Sequence, residues 1–329
     1  MQLASRFPLL AVFAVAWAWP AAGIAADALA QCAAIDDDVK RLACYDAASG
    51  RAATPPAPEA ASPSLLGPAW MLDPTPGERD FDVRFYRPNY FLLGRYSDRV
   101  NNQPLSPVFA AAGSPDQQLD DVEAKFQLSF KARLWHTADR RWALWLGYTQ
   151  QSQWQVYNAG LSRPFRETNY QPELFVTYNP ELAWNGFRWR LLNVGYAHQS
   201  NGRSDPLSRS WDRIFAEFGV ERDQLALLAR LWYRIKESPS KDDNPDITDY
   251  LGYGELTALY RWRRHTFKLM GRGNLSTGKG AAELTWSSRP LLGPLRLYAQ
   301  VFTGYGESLI DYNWRQTTIG AGIALNDLL

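Results

Sequence analysis

LNVGYAHQSNGRSDPLSRSWDR, residues 192–213, reads as two strands and the loop between them. With a period of two, Leu192, Val194, Tyr196, His198 and Ser200 share one face, and Asn193, Gly195, Ala197 and Gln199 the other. The apolar face therefore ends in a histidine and a serine. Beyond a loop rich in Gly, Ser, Asp and Pro, alternation resumes with Asp212, Ile214, Ala216, Phe218 and Val220 on one side and Arg213 and Glu217 on the other. An antiparallel hairpin would bring Ser200, His198 and Asp212 to one surface near its mouth, in the roles of nucleophile, base and base-orienting carboxylate. That surface is the apolar one. A soluble barrel would turn it inward, but in a membrane barrel it meets lipid, and the three side chains would sit where acyl esters lie.

A serine two residues from a histidine recurs by chance, and most strand histidines only pack or hydrogen-bond. The chain holds 3 histidines: His136 sits beside Thr137, Ala138 and Asp139, and His265 in the turn RWRRHT, which leaves His198 as the one inside an alternating strand. HQSNG lacks the G-x-S-x-G elbow of the α/β-hydrolases, so a soluble lipase fold is disfavoured.

Among 329 residues, 35 Lys and Arg stand against 34 Asp and Glu, and a net charge of +1 implies no bulk attraction to nucleic acid. Aromatic residues make up 14%, with 14 Trp and 16 Tyr, which suits either a membrane barrel with interfacial girdles or a carbohydrate-binding sandwich. Met1 to about Ala28 reads as a secretory signal, with Arg6 at the positive start, an apolar run from Leu9 to Trp19 and small residues from Ala21 to Ala28. No later stretch approaches the roughly 18 consecutive apolar residues of a spanning helix, so any crossing must be by strands.

Residues 29–49 hold both cysteines, Cys32 and Cys44. On one straight helix they would lie roughly 18 Å apart, beyond the ~7 Å limit for a disulfide, so pairing demands a bend. Asp36, Asp37 and Asp38 could start a second helix and make a helical hairpin, and an exported setting favours the bond. Residues 50–80 read as a Pro- and Ala-rich linker. From 81 to 329, alternating segments and turns follow one another: Phe85–Tyr96, Glu123–Leu134, Trp142–Val156, Gln171–Tyr178, Arg188–Ser200, Ser210–Val220, Leu225–Lys236, Tyr250–Tyr260, Thr266–Leu275, Gly280–Ser287, Leu295–Tyr305 and Arg315–Leu325. These are about twelve, an even number, as antiparallel closure with both ends in the periplasm requires. Short connections alternate with long ones, which puts the loop 201–209, and with it His198 and Ser200, at the outer interface. One further residue stands out on a lipid-facing row. Gln150 follows Trp142, Leu144, Leu146 and Tyr148, where it could either bond to a second copy of the chain or reach headgroups and water.

The chain resembles the outer-membrane phospholipase A family of Gram-negative bacteria from roughly Phe81 to the C-terminus. The resemblance rests on PFRETNYQPEL from Pro164, GYAHQSNGRSDPLSRSWDR from Gly195, DDNPDIT from Asp242 and GYGESLIDYN from Gly304. It implies an all-β, twelve-stranded antiparallel transmembrane β-barrel, acting as a homodimer at the outer leaflet on the acyl esters of phospholipids and lysophospholipids, with Ca2+ as cofactor. By that resemblance Ser200 is the nucleophile and His198 the general base. The family's third member is an asparagine, where this chain has Asp212. Calcium ligands would be the backbone carbonyl of Arg203, the hydroxyl of Ser208, Ser162 of the partner subunit, and waters; Asp205 and Asp243 match a second site, and Gln150 the residue bonding across the dimer. The rival reading is a barrel without catalysis, a passive pore or a structural protein.

Overall fold

The computed structural model describes residues 29–51, 64–74 and 79–326, so the expected signal, residues 1–28, lies outside the described residues. Two compact units divide the chain, with the boundary between Ala61 and Ser62. In the first, residues 29–33 are helical, a turn follows, and α1 runs from Asp38 to Ala48. Asp37 caps α1, its carboxylate accepting from the backbone N–H of Val39 and Lys40 at 3.0 Å. The turn between the helices brings the two cysteines to a Cα separation of 5.4 Å, and they are disulfide-bonded, as the hairpin reading expects.

The second unit is a closed antiparallel barrel. Its strands are β1 (Asp82–Phe85), β2 (Tyr90–Ser97), β3 (Val122–His136), β4 (Trp142–Trp154), β5 (Phe165–Tyr178), β6 (Leu182–Trp184), β7 (Phe187–Ser200), β8 (Ser210–Arg222), β9 (Leu225–Ile235), β10 (Gly254–Trp262), β11 (His265–Asn274), β12 (Lys279–Ser287), β13 (Arg296–Tyr305) and β14 (Arg315–Ala324). Neighbours in sequence pair in order, and β14 on β2 with β3 on β4 completes the ring. Strand β1 pairs with Phe130–Arg133 of β3 while β2 pairs with Val122–Gln127, so the two are one stave broken around Pro88; β6 is likewise a short hairpin onto the start of β7. Twelve barrel strands remain, and a sandwich is excluded. Short turns lie at the end holding Tyr90 and Ala324, and the longer loops, 201–209 among them, at the other.

Burial follows alternation. In β7, Leu191, Asn193 and Ala197 face a filled lumen, while Val194 and Tyr196 are exposed on the outer face beside His198. The outer surface carries Leu128, Leu146, Val176, Ile214, Leu231, Leu269, Leu284 and Ile319, with Trp135, Trp142, Trp184 and Trp262 at the turn end. This is the apolar band with an aromatic girdle of a membrane barrel. No helix among the described residues is long and apolar enough to cross a membrane, so the crossing belongs to the strands.

Two segments close the lumen. At the loop end, residues 306–312 fold inward: Glu307 pairs with Arg95 and Lys125, and Asp311 with Arg166 at 2.7 Å, while Arg166 and Arg95 also share Glu123. At the turn end, α2 (Leu66–Trp70) inserts with Leu65, Leu66, Trp70, Met71 and Leu72 buried against Trp145, Phe175 and Leu191. Glu221 receives the backbone N–H of Leu65 at 2.8 Å and of Leu66 at 2.9 Å, satisfying the first turn of α2, and the Lys131 ammonium lies 3.2 Å from the Trp70 ring centre. Between them lies a cavity of about 250 Å³ whose lining includes Tyr86, Lys131, Arg213, Arg230 and Glu283. The linker expected over residues 50–80 is corrected here: its Leu65–Leu72 portion is a plug, because a single apolar helical turn can bury itself in the barrel although its surroundings are rich in Pro, Ala and Ser.

Two strand limits are also corrected. Strand β5 starts at Phe165 rather than Gln171, and Tyr250 belongs to a helical turn, α4 (Ile247–Leu251), whose Ile247 and Leu251 are buried four residues apart on one face. A further short helix, α3 (Ser106–Ala111), lies in the β2–β3 loop.

Leu66 is fully buried against Leu191 and Gly219, so Leu66→Ala is expected to cost about 2–5 kcal/mol of barrel stability. The shift from folded to unfolded gel mobility on heating in detergent would move to lower temperature. An unchanged midpoint would show that the plug contributes nothing to stability.

Candidate active site

The hairpin β7–β8 sets the geometry. Its register places His198 directly opposite Asp212 and Ser200 opposite Ser210, with nine residues, 201–209, between the strands. Side chains directly opposite on one face have Cβ atoms about 5 Å apart, within hydrogen-bonding reach for an imidazole and a carboxylate. His198 Nδ1 lies 2.8 Å from Asp212 Oδ1, with the side chains 37% and 28% exposed. A carboxylate at Nδ1 holds the proton there and leaves Nε2 as the basic nitrogen. Ser200 follows two residues on, half-exposed on the same face and flanked by Tyr170 of β5. No hydrogen bond joins Ser200 to His198 in this structure; such contacts often tighten only around bound substrate. The other two histidines sit at strand ends, His136 bonded to the Thr137 carbonyl and His265 stacked on Trp286.

The mouth is braced from inside. Asn201, buried, donates to the Leu207 carbonyl at 2.8 Å and accepts from the Arg209 N–H at 3.0 Å, while Leu207 packs with Leu105, Leu119 and Ile310. Gly202 has φ +63°, and a Cβ there would meet the Tyr170 ring at 3.2 Å, so the first turn of the loop requires glycine twice over. Buried Asn244 accepts from Ser210 N–H at 3.0 Å and ties the β9–β10 loop to the hairpin.

Of the expected calcium ligands, Ser208 and Asp243 come together, the serine hydroxyl donating to the carboxylate at 2.5 Å. The Arg203 guanidinium donates to the Arg166 carbonyl at 2.6 Å and so fixes the backbone of that residue. Ser162 is exposed on the separate 155–164 loop, in left-handed conformation at φ +58°, and Asp205 is exposed with no hydrogen bond to Asp243. Among the described residues no group of three or more His, Cys, Asp and Glu could hold a metal ion. Hydroxyl, carbonyl and carboxylate oxygens are nonetheless the hard donors calcium takes, with waters completing the shell. Gln150 lies on the outer face, accepting from the Tyr148 hydroxyl at 3.1 Å and donating to Ser152 at 3.4 Å, so both ends of its amide are partnered within the chain.

Two residues near the site were not singled out from sequence. Tyr196, read only as a lipid-facing aromatic, donates its hydroxyl to the same oxygen of Asp212 that binds His198. Glu237, just beyond β9, has its carboxyl pushed above the ordinary range by burial, with Asp242 and Asp212 adding repulsion. Alternation exposes faces but does not reveal diagonal or loop-borne partners.

The fold is thus that of an integral-membrane antiparallel barrel, here with a histidine–carboxylate pair and a serine on its outward face. The chain belongs to the Phospholipase A1 family, whose model matches residues 66–325. A Neisseria meningitidis relative is 43% identical over 257 residues, covering 75% of this chain and 66% of its own length. The phospholipase A1 of Salmonella typhimurium is 40% identical over 252 residues, 76% of this chain and 84% of the relative. Among solved structures, the outer membrane phospholipase A of Escherichia coli superposes with a TM-score of 0.69 at 39% identity, over 75% of this chain and 99% of that one. A Salmonella typhi outer membrane phospholipase, described as a dimer with bound calcium, gives 0.71 at 37%, over 81% and 100%.

Proposed function

We propose that this protein hydrolyses the acyl esters of phospholipids and lysophospholipids at the outer leaflet, with calcium and as a homodimer, its termini in the periplasm. Ser200 Oγ attacks the ester carbonyl as His198 Nε2 takes its proton, and His198 then returns the proton to the departing alkoxide of the lysolipid or glycerol product. Water, deprotonated by His198, resolves the acyl-enzyme to fatty acid and free Ser200. Asp212 keeps the imidazole in the useful tautomer and stabilises it when charged. Calcium would be held by the Arg203 carbonyl, the Ser208 hydroxyl and Ser162 of the partner subunit, with Asp205 and Asp243 forming a weaker second site. When bound it supplies positive charge beside the developing oxyanion. In the dimer, Gln150 would exchange its intrachain partners for the facing copy. The observation that carries the reading is the His198–Asp212 bond on the outward face, two residues from a serine. The deciding experiment is fatty-acid release from phospholipid micelles by the purified protein, with and without a chelator.

The pore reading meets a lumen closed at both ends. Asp212→Asn is expected to retain activity within about tenfold of the parent, because an amide oxygen can still accept the Nδ1–H. A loss as deep as that of Ser200→Ala, in a turnover assay on the same micelles, would overturn the orienting role.

A further inference from the structure

We propose that Tyr196 is a positioning residue, whose hydroxyl locks the Asp212 carboxylate against His198 and makes an anion tolerable on this lipid-facing surface. The inference rests on the Ser200–His198–Asp212 reading and deepens it. Asp212 Oδ1 takes two donors, His198 Nδ1 at 2.8 Å and the Tyr196 hydroxyl at 2.5 Å. Tyr196 stands opposite Ile214, one step diagonal to Asp212, and a phenol spans that diagonal where a shorter side chain would not.

The need is physical. A carboxylate on the outer face of a barrel is unfavourable unless hydrogen-bonded, and Ile235, opposite Asp212 on β9, offers only hydrocarbon. Of the neighbouring charges, Glu237, just beyond β9, and Asp212 repel one another. An amide at position 212 would be neutral and would have no such requirement. Tyr196 therefore matters because the third residue is an acid. It also shares the carboxylate oxygen that His198 uses, so losing the phenol should loosen the His198–Asp212 pair and show in the pH profile of kcat.

The test is a double-mutant cycle in detergent micelles containing calcium. Tyr196→Phe should lower kcat by roughly tenfold with KM little changed, and move the acid limb of the kcat profile. In the Asp212→Asn background the same change should cost less than about twofold and leave the limb in place. Tyr233→Phe, an exposed tyrosine on the outer face of β9 with no role in the site, is the control for generic lipid contact and should change nothing. Equal losses in the two backgrounds, an unmoved acid limb, or an equal effect of Tyr233→Phe would overturn the proposal. Ser200→Ala, run alongside, separates the two failures: if it stays active, the triad itself is wrong, whereas an inactive Ser200→Ala with no Tyr196–Asp212 coupling removes only Tyr196.

Discussion

Ser200→Ala is expected to release fatty acid at no more than about 10⁻⁴ of the parent rate, with heat-modifiable gel mobility unchanged. The size follows from what the hydroxyl does. On the proposed mechanism it forms the acyl bond that splits one difficult substitution into two easier ones. Ser210, directly across the hairpin, is the one candidate for a substitute nucleophile, but Asp212 already occupies the imidazole from that strand. The substitution removes a half-exposed polar atom from the rim of an otherwise intact ladder, so folding should not suffer. A variant that kept even a hundredth of the parent turnover would remove Ser200 from the chemistry.

Chelation of calcium is expected to lower kcat by about 100- to 1,000-fold, the usual consequence of losing charge stabilisation at an oxyanion. A site made of one carbonyl, two hydroxyls and waters carries little negative charge, so affinity should be modest and the loss reversible on adding calcium back. Magnesium should restore much less, since it holds its own waters and demands a tighter octahedron. On the proposed site, which would draw one ligand from the partner, Gln150→Ala should raise the calcium concentration needed for half-maximal rate in proportion to weaker dimerisation. Full activity in chelator, measured by titration of released acid, would sink both the cofactor and the shared site.

The architecture was readable because one physical rule, lipid outside and packed polar lumen inside, imposes a period of two on every stave. The shared outward face of His198, Ser200 and Asp212 was readable for the same reason, helped by a nine-residue connection that fixes their register. Failures trace to places where the rule is silent. Strand β5 begins in Phe165, Arg166 and Glu167, and a lumen-facing Arg166 that pairs with Glu123 and Asp311 looks in sequence like part of a loop. The α2 plug is one turn long, too short for a periodic signal, and only its burial reveals it. The proposed calcium ligands are a backbone carbonyl and hydroxyls, which have no residue signature, so they rest on family resemblance alone. Tyr196 was hidden because a tyrosine near a membrane surface already has an ordinary explanation.

The His198–Asp212 pair sits on the barrel's outer wall while the interior is plugged at both ends, so lipid reaches that pair from the membrane side. Encounter is a lateral event confined to a sheet of neighbouring molecules, and the enzyme senses how crowded that sheet is with cleavable lipid, not how much lipid a litre of suspension contains. Mixing in inert amphiphile at constant bulk amount thins its supply as surely as removing substrate would.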